Sequence, residues 1–324
     1  MNVVVTGATS FLGRAVADRL LKQGSKVYGV VRPGSQNMRY LPADQPGFMV
    51  IERELEALDT LDQVIGGTCQ AFYHFGWDGS GSENRMKREV QQRNVRDSLK
   101  ALEGAMRLGC SRFLFSGSQA EYGIHTGPLS EDTVCDPVSE YGKAKLDFLR
   151  QAEETASKWR QSGISSMEYI HARIFSVYGP GDHPWSLVES CLRAFGRGEY
   201  ISLGECTQMW NFLYLEDCVR ALMLLMESKK ESVSGIYNVA APECETKPLR
   251  EYIRQMYETM GYHGSYSFGR RRPNAEGLVN LIPDIRKLEE ETGFCPHVSF
   301  SEGTRKTWGY EKRIDMEGKM WYER

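Results

Sequence analysis

Short apolar runs alternate with amphipathic stretches through the first half of the chain. Six runs rich in β-branched or aromatic residues predict buried strands, at 2–6, 26–31, 48–51, 71–75, 112–116 and 168–174. Three stretches repeat apolar residues at helical spacing, over 11–20, from about 83 to 108, and from 139 to about 162. Strands that alternate with helices form parallel βαβ units. The pattern therefore predicts an α/β fold with a doubly wound parallel sheet.

The alternation breaks after Tyr178. Residues 179–209 are richer in Gly, Pro and Trp, and a predicted strand (210–215), helix (216–227) and short strand (236–239) follow. The sequence has no internal repeat and no low-complexity linker, so we expect a second, smaller lobe interleaved with the first. We place the sheet domain at 1–178 plus about 210–240, and the smaller C-terminal lobe at 179–209 and about 241–310.

Composition and charge disfavour several classes of function. A net charge of −3 over 324 residues gives no general reason to expect a nucleic acid or a membrane as partner. The eight cysteines include no Cys-x-x-Cys pair, and no His, Cys and Asp residues have metal-ligand spacing, so we expect reduced thiols and no metal site. No signal peptide is recognisable, and the longest apolar run, 221–226, is too short to span a bilayer. We therefore expect a cytoplasmic protein.

A glycine-rich sequence, GATSFLG from Gly7 to Gly13, lies between the first predicted strand and the first predicted helix. Gly7 permits a sharp turn, Gly13 permits close packing of the helix on the sheet, and Ser10 occupies the middle glycine position of the usual fingerprint. The helix N-terminus offers N–H groups and a positive dipole to a pyrophosphate. This placement predicts a Rossmann-type dinucleotide-binding domain, and the alternative is a purely structural turn.

The end of the second predicted strand indicates which dinucleotide binds. NAD sites usually place an acidic residue there for the ribose 2′-hydroxyl, whereas this chain has Arg32 and Ser35 and no acid. Arg32 could bind a 2′-phosphate through two hydrogen bonds, and Ser35 could add another. We predict NADP, with NAD as the alternative if Arg32 is an ordinary surface residue.

Two further motifs carry a resemblance to a known family. FSGSQAEYG begins at Phe115, and YGKAK begins at Tyr141 in the next predicted helix. Other matching positions are Asn94, YHFG (73–76), DP (136–137), VYGP (177–180), LYLED (213–217), YNV (237–239) and GFCP (293–296). With these motifs the chain resembles the extended short-chain dehydrogenase/reductase family, in its nucleotide-sugar epimerase/dehydratase group. The resemblance extends to about residue 310 and depends on the order of many motifs, because Tyr-x-x-x-Lys alone arises by chance.

The resemblance implies a catalytic group of Tyr141, Lys145 and Ser118. Tyr141 and Lys145 are four residues apart and share a helix face, where the ammonium would favour the phenolate. Ser118 would bind the reacting oxygen, and Tyr141 would exchange its proton while a hydride moves to or from the nicotinamide. Lys145 would also hold the nicotinamide ribose.

The same resemblance implies two sets of binding residues. The cofactor set is Gly7, Thr9, Ser10, Phe11, Leu12, Gly13, Arg32, Ser35, Glu54, Leu55, Phe75, Gly76, Trp77, Asn94, Ser116, Tyr141 and Lys145. The substrate set is Ser118, Gln119, Ser176, Trp210 and Arg271. Ser176 and Trp210 stand where the family often has Asn and Arg, so Arg271 and Arg272 are alternative diphosphate ligands. We expect His74 to be structural and Glu121 to be structural or in contact with substrate.

The resemblance leaves the reaction open. Dehydratases of the group have Asp-Glu directly after the catalytic hydroxyl, and this chain has Gln119 and Ala120, so water elimination is disfavoured. Arg32 favours a 4-keto-sugar reductase that exchanges NADPH and acts on a nucleotide-linked sugar. The alternatives are a 4-epimerase that recycles its bound cofactor and, more distantly, a non-catalytic NADP-binding regulator. Family habit implies a homodimer through the helices of Asn94 and Tyr141.

Overall fold

The computed structural model describes residues 1–81, 83–230, 232–271 and 277–316. The strands of the described ranges are β1 (Asn2–Thr6), β2 (Lys26–Val31), β3 (Phe48–Glu52), β4 (Ala71–His74), β5 (Arg112–Ser118), β6 (Glu168–Ile174), β7 (Ser176–Tyr178), β8 (Tyr200–Ser202), β9 (Met209–Trp210), β10 (Phe212–Tyr214), β11 (Gly235–Val239), β12 (Lys247–Pro248) and β13 (Ser265–Ser267). The α-helices are α1 (Phe11–Lys22), α2 (Asp62–Ile65), α3 (Arg88–Arg107), α4 (Glu140–Gln161), α5 (Leu187–Arg197), α6 (Leu215–Glu227), α7 (Leu249–Thr259), α8 (Arg286–Thr292) and α9 (Phe300–Met316). Among them, no helix is both long and apolar enough to cross a bilayer.

The main sheet has seven parallel strands in the order β11-β6-β5-β4-β1-β2-β3. The chain builds outward from β1 in one direction and then from β4 in the other, so the order reverses between these two strands. Ligands of open α/β sheets bind outside the carboxyl ends of the strands at such a switch point. The predicted doubly wound Rossmann fold is confirmed, and the switch point lies where Gly7 follows β1.

Both faces of the sheet are buried, which explains its nearly continuous apolar strands. Val3 and Val5 belong to a hydrophobic cluster that includes residues of α1 and α6. Val4 belongs to a second cluster, with residues of α3 and α4. Alternate residues of β1 therefore anchor helices on opposite faces, and these helices hold the carboxyl edge of the sheet in place.

A third hydrophobic cluster gathers residues of α5, α7, α9 and the short strands between positions 178 and 214. Three small strand pairs accompany it: β10 with β7, β9 with β12, and β8 with β13. The helix α5 was not predicted from the sequence, although Ser186 caps it by accepting a hydrogen bond from Glu189 N. The division into a sheet domain and a smaller lobe at the stated boundaries stays a prediction.

Two predicted elements differ from the observed ones by more than a shift of one or two residues at an end. The helix expected from about residue 83 begins at Arg88, because the preceding residues form a turn whose Asn84 carbonyl accepts a hydrogen bond from Gln91. The strand expected over 210–215 is divided at Asn211. The side-chain amide of Asn211 accepts a hydrogen bond from Ala241 N and donates one to Thr246 Oγ1, so Asn211 is tied to the segment that follows β11.

Candidate active site

The glycine loop turns tightly between β1 and α1. Gly7 has φ +62°, and a Cβ at that position would lie 2.8 Å from Gly76 N. At Gly13 a Cβ would collide with the carbonyl of Gly7. Ser10 is the N-cap of α1, and its Oγ accepts a hydrogen bond from Gly13 N at 3.1 Å. Glycine is thus required at both positions because the backbone packs too closely for a Cβ.

A cleft of about 580 Å³ lies beside this loop at the carboxyl ends of β1, β2, β3 and β4. It brings together eleven of the predicted cofactor residues: Gly7, Thr9, Ser10, Phe11, Arg32, Ser35, Glu54, Leu55, Phe75, Gly76 and Trp77. The other predicted cofactor residues are outside its lining: Leu12, Gly13, Asn94, Ser116, Tyr141 and Lys145. The lining of the cleft includes residues that follow β3 and also Trp77. Trp77 is the lining side chain that contacts the predicted catalytic residues Tyr141 and Lys145.

Arg53 also lines this cleft and was not among the predicted cofactor residues. Val31 and Glu52 are register partners in β2 and β3, so Arg32 and Arg53 directly follow paired residues at one sheet edge. Arg53 N donates to Val31 O at 2.9 Å, and Arg53 Nε is buried with no hydrogen-bond partner among the described residues. The pairing of β2 with β3 is the signal that could have identified it.

Arg32 forms an ion pair with Asp78, an acid from the loop after β4. Its Nη1 lies 3.4 Å from Asp78 Oδ1, and Arg93 Nη2 lies 3.7 Å from Asp78 Oδ2. The side chains of Arg32 and Asp78 are 65% and 42% exposed. Such exposed ion pairs are weak, so an anionic ligand could replace Asp78 at Arg32.

Asn94 and His74 support the cleft from behind. The Asn94 amide accepts from Asp78 N at 2.9 Å and donates to Asp78 O at 2.8 Å, so it positions the loop after β4. His74 is buried between Thr6 Oγ1 (2.6 Å) and Ser98 Oγ (3.0 Å). Burial, with a contribution from Lys145, lowers the pKa of His74 to about 3. Both ring nitrogens of His74 thus have partners inside the protein, in keeping with the expected structural role.

Lys145 lies on the buried face of α4. Its Nζ donates to Ser116 O at 2.7 Å and lies 3.8 Å from the centroid of the Trp77 ring system and 5.5 Å from that of Tyr141. Burial lowers the pKa of Lys145 to about 7; Glu121 opposes this shift, and Arg85 adds to it. A neutral and a charged form of Lys145 are therefore both populated near neutral pH.

Tyr141 packs against Trp77, a lining residue of the cleft, on the same side as Lys145. Its ring lies 6.1 Å from that of Trp77 in an edge-to-face arrangement, and Trp77 itself lines the cleft. The guanidinium carbon of Arg85 lies 4.2 Å from the Tyr141 ring centroid. The structure thus brings Tyr141 and Lys145 together beside the cleft, as the spacing of four residues predicts.

Ser118 ends β5, and its immediate surroundings are fixed by Glu121. Ser118 Oγ accepts from Ala120 N at 3.2 Å, and Ser118 N donates to Glu121 Oε1 at 2.7 Å. Glu121 is fully buried and also accepts from His171 Nε2 (2.9 Å) and Arg173 Nε (2.8 Å). Burial opposes ionisation of Glu121, but His171 and Arg173 outweigh it and lower its pKa to about 2. Glu121 therefore anchors the end of β5 to β6 as a carboxylate.

A second pocket, of about 240 Å³, begins at Gln119, the residue after Ser118. Of the predicted substrate residues, Gln119, Trp210 and Arg271 line it, and Ser118 and Ser176 do not. Ser176 instead belongs to β7 and is the register partner of Phe212. Arg272 lies outside the described residues.

Gln208 is a lining residue of the second pocket that sequence reasoning missed. Gln208 Oε1 and Trp210 Nε1 are buried and have no hydrogen-bond partner within the described part of the chain. One is an acceptor and the other a donor, so a polar ligand could satisfy both.

The described ranges contain no group of three His, Cys, Asp or Glu residues that could hold a metal ion.

A parallel sheet with a glycine loop at its switch point, and a Tyr-x-x-x-Lys pair beside the adjoining cleft, defines the extended short-chain dehydrogenase/reductase class. A model of the NAD dependent epimerase/dehydratase family matches residues 3–240. The chain belongs to this family of enzymes, as the motifs of the sequence predicted.

Individual relatives carry out different reactions. A dTDP-6-deoxy-L-talose 4-dehydrogenase (NAD(+)) of Aggregatibacter actinomycetemcomitans is 26% identical over 259 residues, which cover 79% of this chain and 90% of that protein. UDP-glucuronic acid decarboxylase 2 of Arabidopsis thaliana is 28% identical over 313 residues, 94% of this chain and 66% of the relative. A solved structure of MoeE5 with UDP-glucuronic acid and NAD has a TM-score of 0.84, 25% identity, and coverage of 97% and 99% of the two chains. Membership of the family therefore does not by itself identify the reaction.

Proposed function

We propose that this enzyme is an NADP-dependent reductase of nucleotide-linked 4-keto-sugars. The observation that carries the proposal is the position of Tyr141 and Lys145, packed against Trp77 at the end of the cleft beside the glycine loop. Ser118 is the last residue of β5, and the next residue, Gln119, lines the second pocket. A carbonyl held there would meet a hydroxyl and a phenol at one edge of the sheet.

The cleft suits a nicotinamide dinucleotide. A Cβ at Gly7 or Gly13 would collide with neighbouring backbone, so both glycines allow the tight turn beside the N-terminus of α1. Arg53 Nε is a buried donor that lacks a partner in the described chain. An unsatisfied buried donor costs about 1–3 kcal/mol, which an anionic ligand oxygen would recover. When bound, the dinucleotide would supply the hydride for the carbonyl carbon.

The protein's own groups would orient the substrate and move the proton. Ser118 Oγ would donate a hydrogen bond to the ketone oxygen, and Tyr141 would protonate that oxygen as it becomes an alcohol. Lys145, fixed by Ser116 O, would keep a cation beside Tyr141 and hold the nicotinamide ribose. Gln119 and Ala120 supply no acid and base for expelling water, which favours simple reduction over dehydration.

The second pocket would hold the nucleotide-linked part of the substrate. Arg271 offers a cation for a diphosphate, and Trp210 with Gln208 offers a ring face, a donor and an acceptor. The relatives whose names specify dTDP- and UDP-linked sugars support this class of substrate. A homodimer through α3 and α4 stays a prediction.

The reductase proposal is tested with the purified protein, NADPH and a panel of nucleotide-linked 4-keto-sugars. We expect loss of reduced-nicotinamide absorbance in proportion to the alcohol formed. Interconversion of a sugar epimer pair without net oxidation would establish the 4-epimerase instead. Cofactor binding without turnover of any sugar would favour a non-catalytic regulator.

The choice of NADP depends on two arginines. We expect Arg32→Gln and Arg53→Gln each to raise the Kd for NADPH about 10–100-fold, because each removes a charged hydrogen bond to the 2′-phosphate worth about 1.5–3 kcal/mol. The Kd for NADH should change little, since NADH lacks that phosphate. Both are measured by fluorescence titration, with exposed Arg96→Gln on α3 as the control. Tighter binding of NADH than NADPH by the unmodified protein would show that NAD is the cofactor.

A further inference from the structure

The described part of the segment between β4 and α3, residues 79–81 and 83–87, packs on the first turn of α4 through Arg85. Gln91, which is buried, fixes it: Nε2 donates to Gly79 O (3.0 Å) and to Asn84 O (2.9 Å). The same side chain accepts a hydrogen bond from Trp77 Nε1 at 2.8 Å. One buried amide therefore holds both the segment and the aromatic wall of the candidate active site.

Arg85, one of these residues, contacts Tyr141 through both its main chain and its side chain. Tyr141 N donates to Arg85 O at 2.9 Å, which satisfies an N–H that the first turn of a helix leaves unpaired. The Arg85 guanidinium carbon lies 4.2 Å from the Tyr141 ring centroid, and Nη1 donates to Ser80 O at 3.3 Å. The backbone contact fixes where the side chain starts, and the Ser80 carbonyl helps to direct it over the ring.

We propose that Arg85 is a positioning residue that keeps a permanent positive charge at the face of the Tyr141 ring and thereby promotes release of the Tyr141 proton. This inference rests on the role of Tyr141 in the proposed function. A cation within a few ångströms of a phenol stabilises its phenolate form and so favours its ionisation. Arg85 touches neither reacting oxygen nor cofactor in this role; it acts through Tyr141.

Lys145 is a second source of positive charge beside Tyr141, but its charge depends on pH. Burial holds its pKa at about 7, so its positive charge is partly lost at neutral pH. A guanidinium remains protonated at every pH at which the protein is folded. Arg85 therefore supplies the charge that persists when Lys145 is neutral.

In the described part of the chain, the charged groups Glu121, Glu140 and Lys143 near Tyr141 each have a partner of their own. Glu121, beyond Lys145, is a carboxylate bound to His171 and Arg173. On α4 itself, Lys143 Nζ and Glu140 Oε1 form an ion pair at 2.7 Å, and the Lys143 side chain is 54% exposed. Solvent screens this pair.

The test is a pH titration of the tyrosinate absorbance, which requires neither substrate nor turnover. Subtracting the curve of Tyr141→Phe isolates the ionisation of Tyr141, and the same subtraction is made in each variant background. We expect Arg85→Met to raise the ionisation midpoint of Tyr141 by about one pH unit. Arg85→Lys should keep the midpoint close to its wild-type value, because it retains a cation at this position. Arg88→Met, which removes an exposed arginine from the start of α3, is the matched control and should leave the midpoint unchanged.

The pH profile of turnover gives a second readout. Ketone reduction needs the protonated phenol, so its rate falls as pH rises through the ionisation midpoint of Tyr141, and Arg85→Met should move that fall to higher pH. An unchanged midpoint in a folded Arg85→Met protein, or equal shifts in Arg85→Met and Arg88→Met, would overturn the inference. Because the absorbance titration uses no sugar, failure of the reductase proposal would leave this result readable.

Discussion

Tyr141→Phe is expected to lower kcat for ketone reduction by about 10²–10⁴-fold, the usual contribution of a positioned acid or base. Phe keeps the ring that packs edge-to-face with Trp77 and under Arg85, so the fold and the affinity for NADPH should be preserved. Only the phenolic hydroxyl, with its exchangeable proton, is removed. Steady-state kinetics with a saturating 4-keto-sugar measure the loss, and cofactor titration and thermal unfolding measure what is retained.

Tyr200→Phe provides the control for the removal of a hydroxyl. Tyr200 is exposed in β8, and its hydroxyl bonds Ser267 in the neighbouring strand β13. This variant should keep full kcat. If Tyr141→Phe also retained more than about a tenth of wild-type kcat, Tyr141 would not be the main proton donor.

Glu121→Gln is expected to lower the free energy of unfolding by about 3–5 kcal/mol, the usual cost of removing one partner from a buried ion pair. Gln preserves the shape of the side chain but leaves Arg173 as a buried cation without a counter-charge. It also places an amide group among donors from His171, Arg173 and Ser118 N. Urea unfolding at neutral pH measures the loss.

The same carboxylate should make stability depend on pH. The pKa of Glu121 is lowered from 4.5 to about 2 in the folded state, so the carboxylate contributes fully to the free energy of unfolding above about pH 4.5. This contribution, about 3 kcal/mol, is lost as pH falls from about 4.5 to about 2. Glu121→Gln should remove this part of the acid sensitivity. Glu154→Gln, which breaks an exposed ion pair of α4, should leave both stability and its pH profile nearly unchanged.

Local pattern and motif order were sufficient for the sheet and for most of the first cleft. The strands β1 and β2 and the helix α4 were predicted within a residue of their observed ends, because apolar spacing reports directly which residues are buried. The glycine loop was predicted from its motif between β1 and α1, and the Tyr141–Lys145 pair from the family resemblance. Each depends on residues within a few positions along one chain segment, whose geometry is nearly independent of the rest of the molecule.

Some errors arose where side-chain hydrogen bonds decide the local structure. The start of α3 moved to Arg88 because Gln91 binds the carbonyl of Asn84, and the strand over 210–215 divides because Asn211 bonds residues 241 and 246. A periodic pattern contains no information about such side-chain contacts. Similarly, α5 was hidden in a segment rich in Gly, Pro and Trp.

The sequence by itself determined the fold class, the family, the glycine loop and the proposed catalytic residues. Only the tertiary structure placed Arg53 beside Arg32, Arg85 over Tyr141, and Glu121 between His171 and Arg173. Glu121 is 50 and 52 positions from its two partners, His171 and Arg173. Arg85 precedes α3, whereas Tyr141, which it contacts, lies in α4. Periodicity and short motifs describe neighbours along the chain, whereas the charge around the site is set by side chains that meet only after the sheet has assembled.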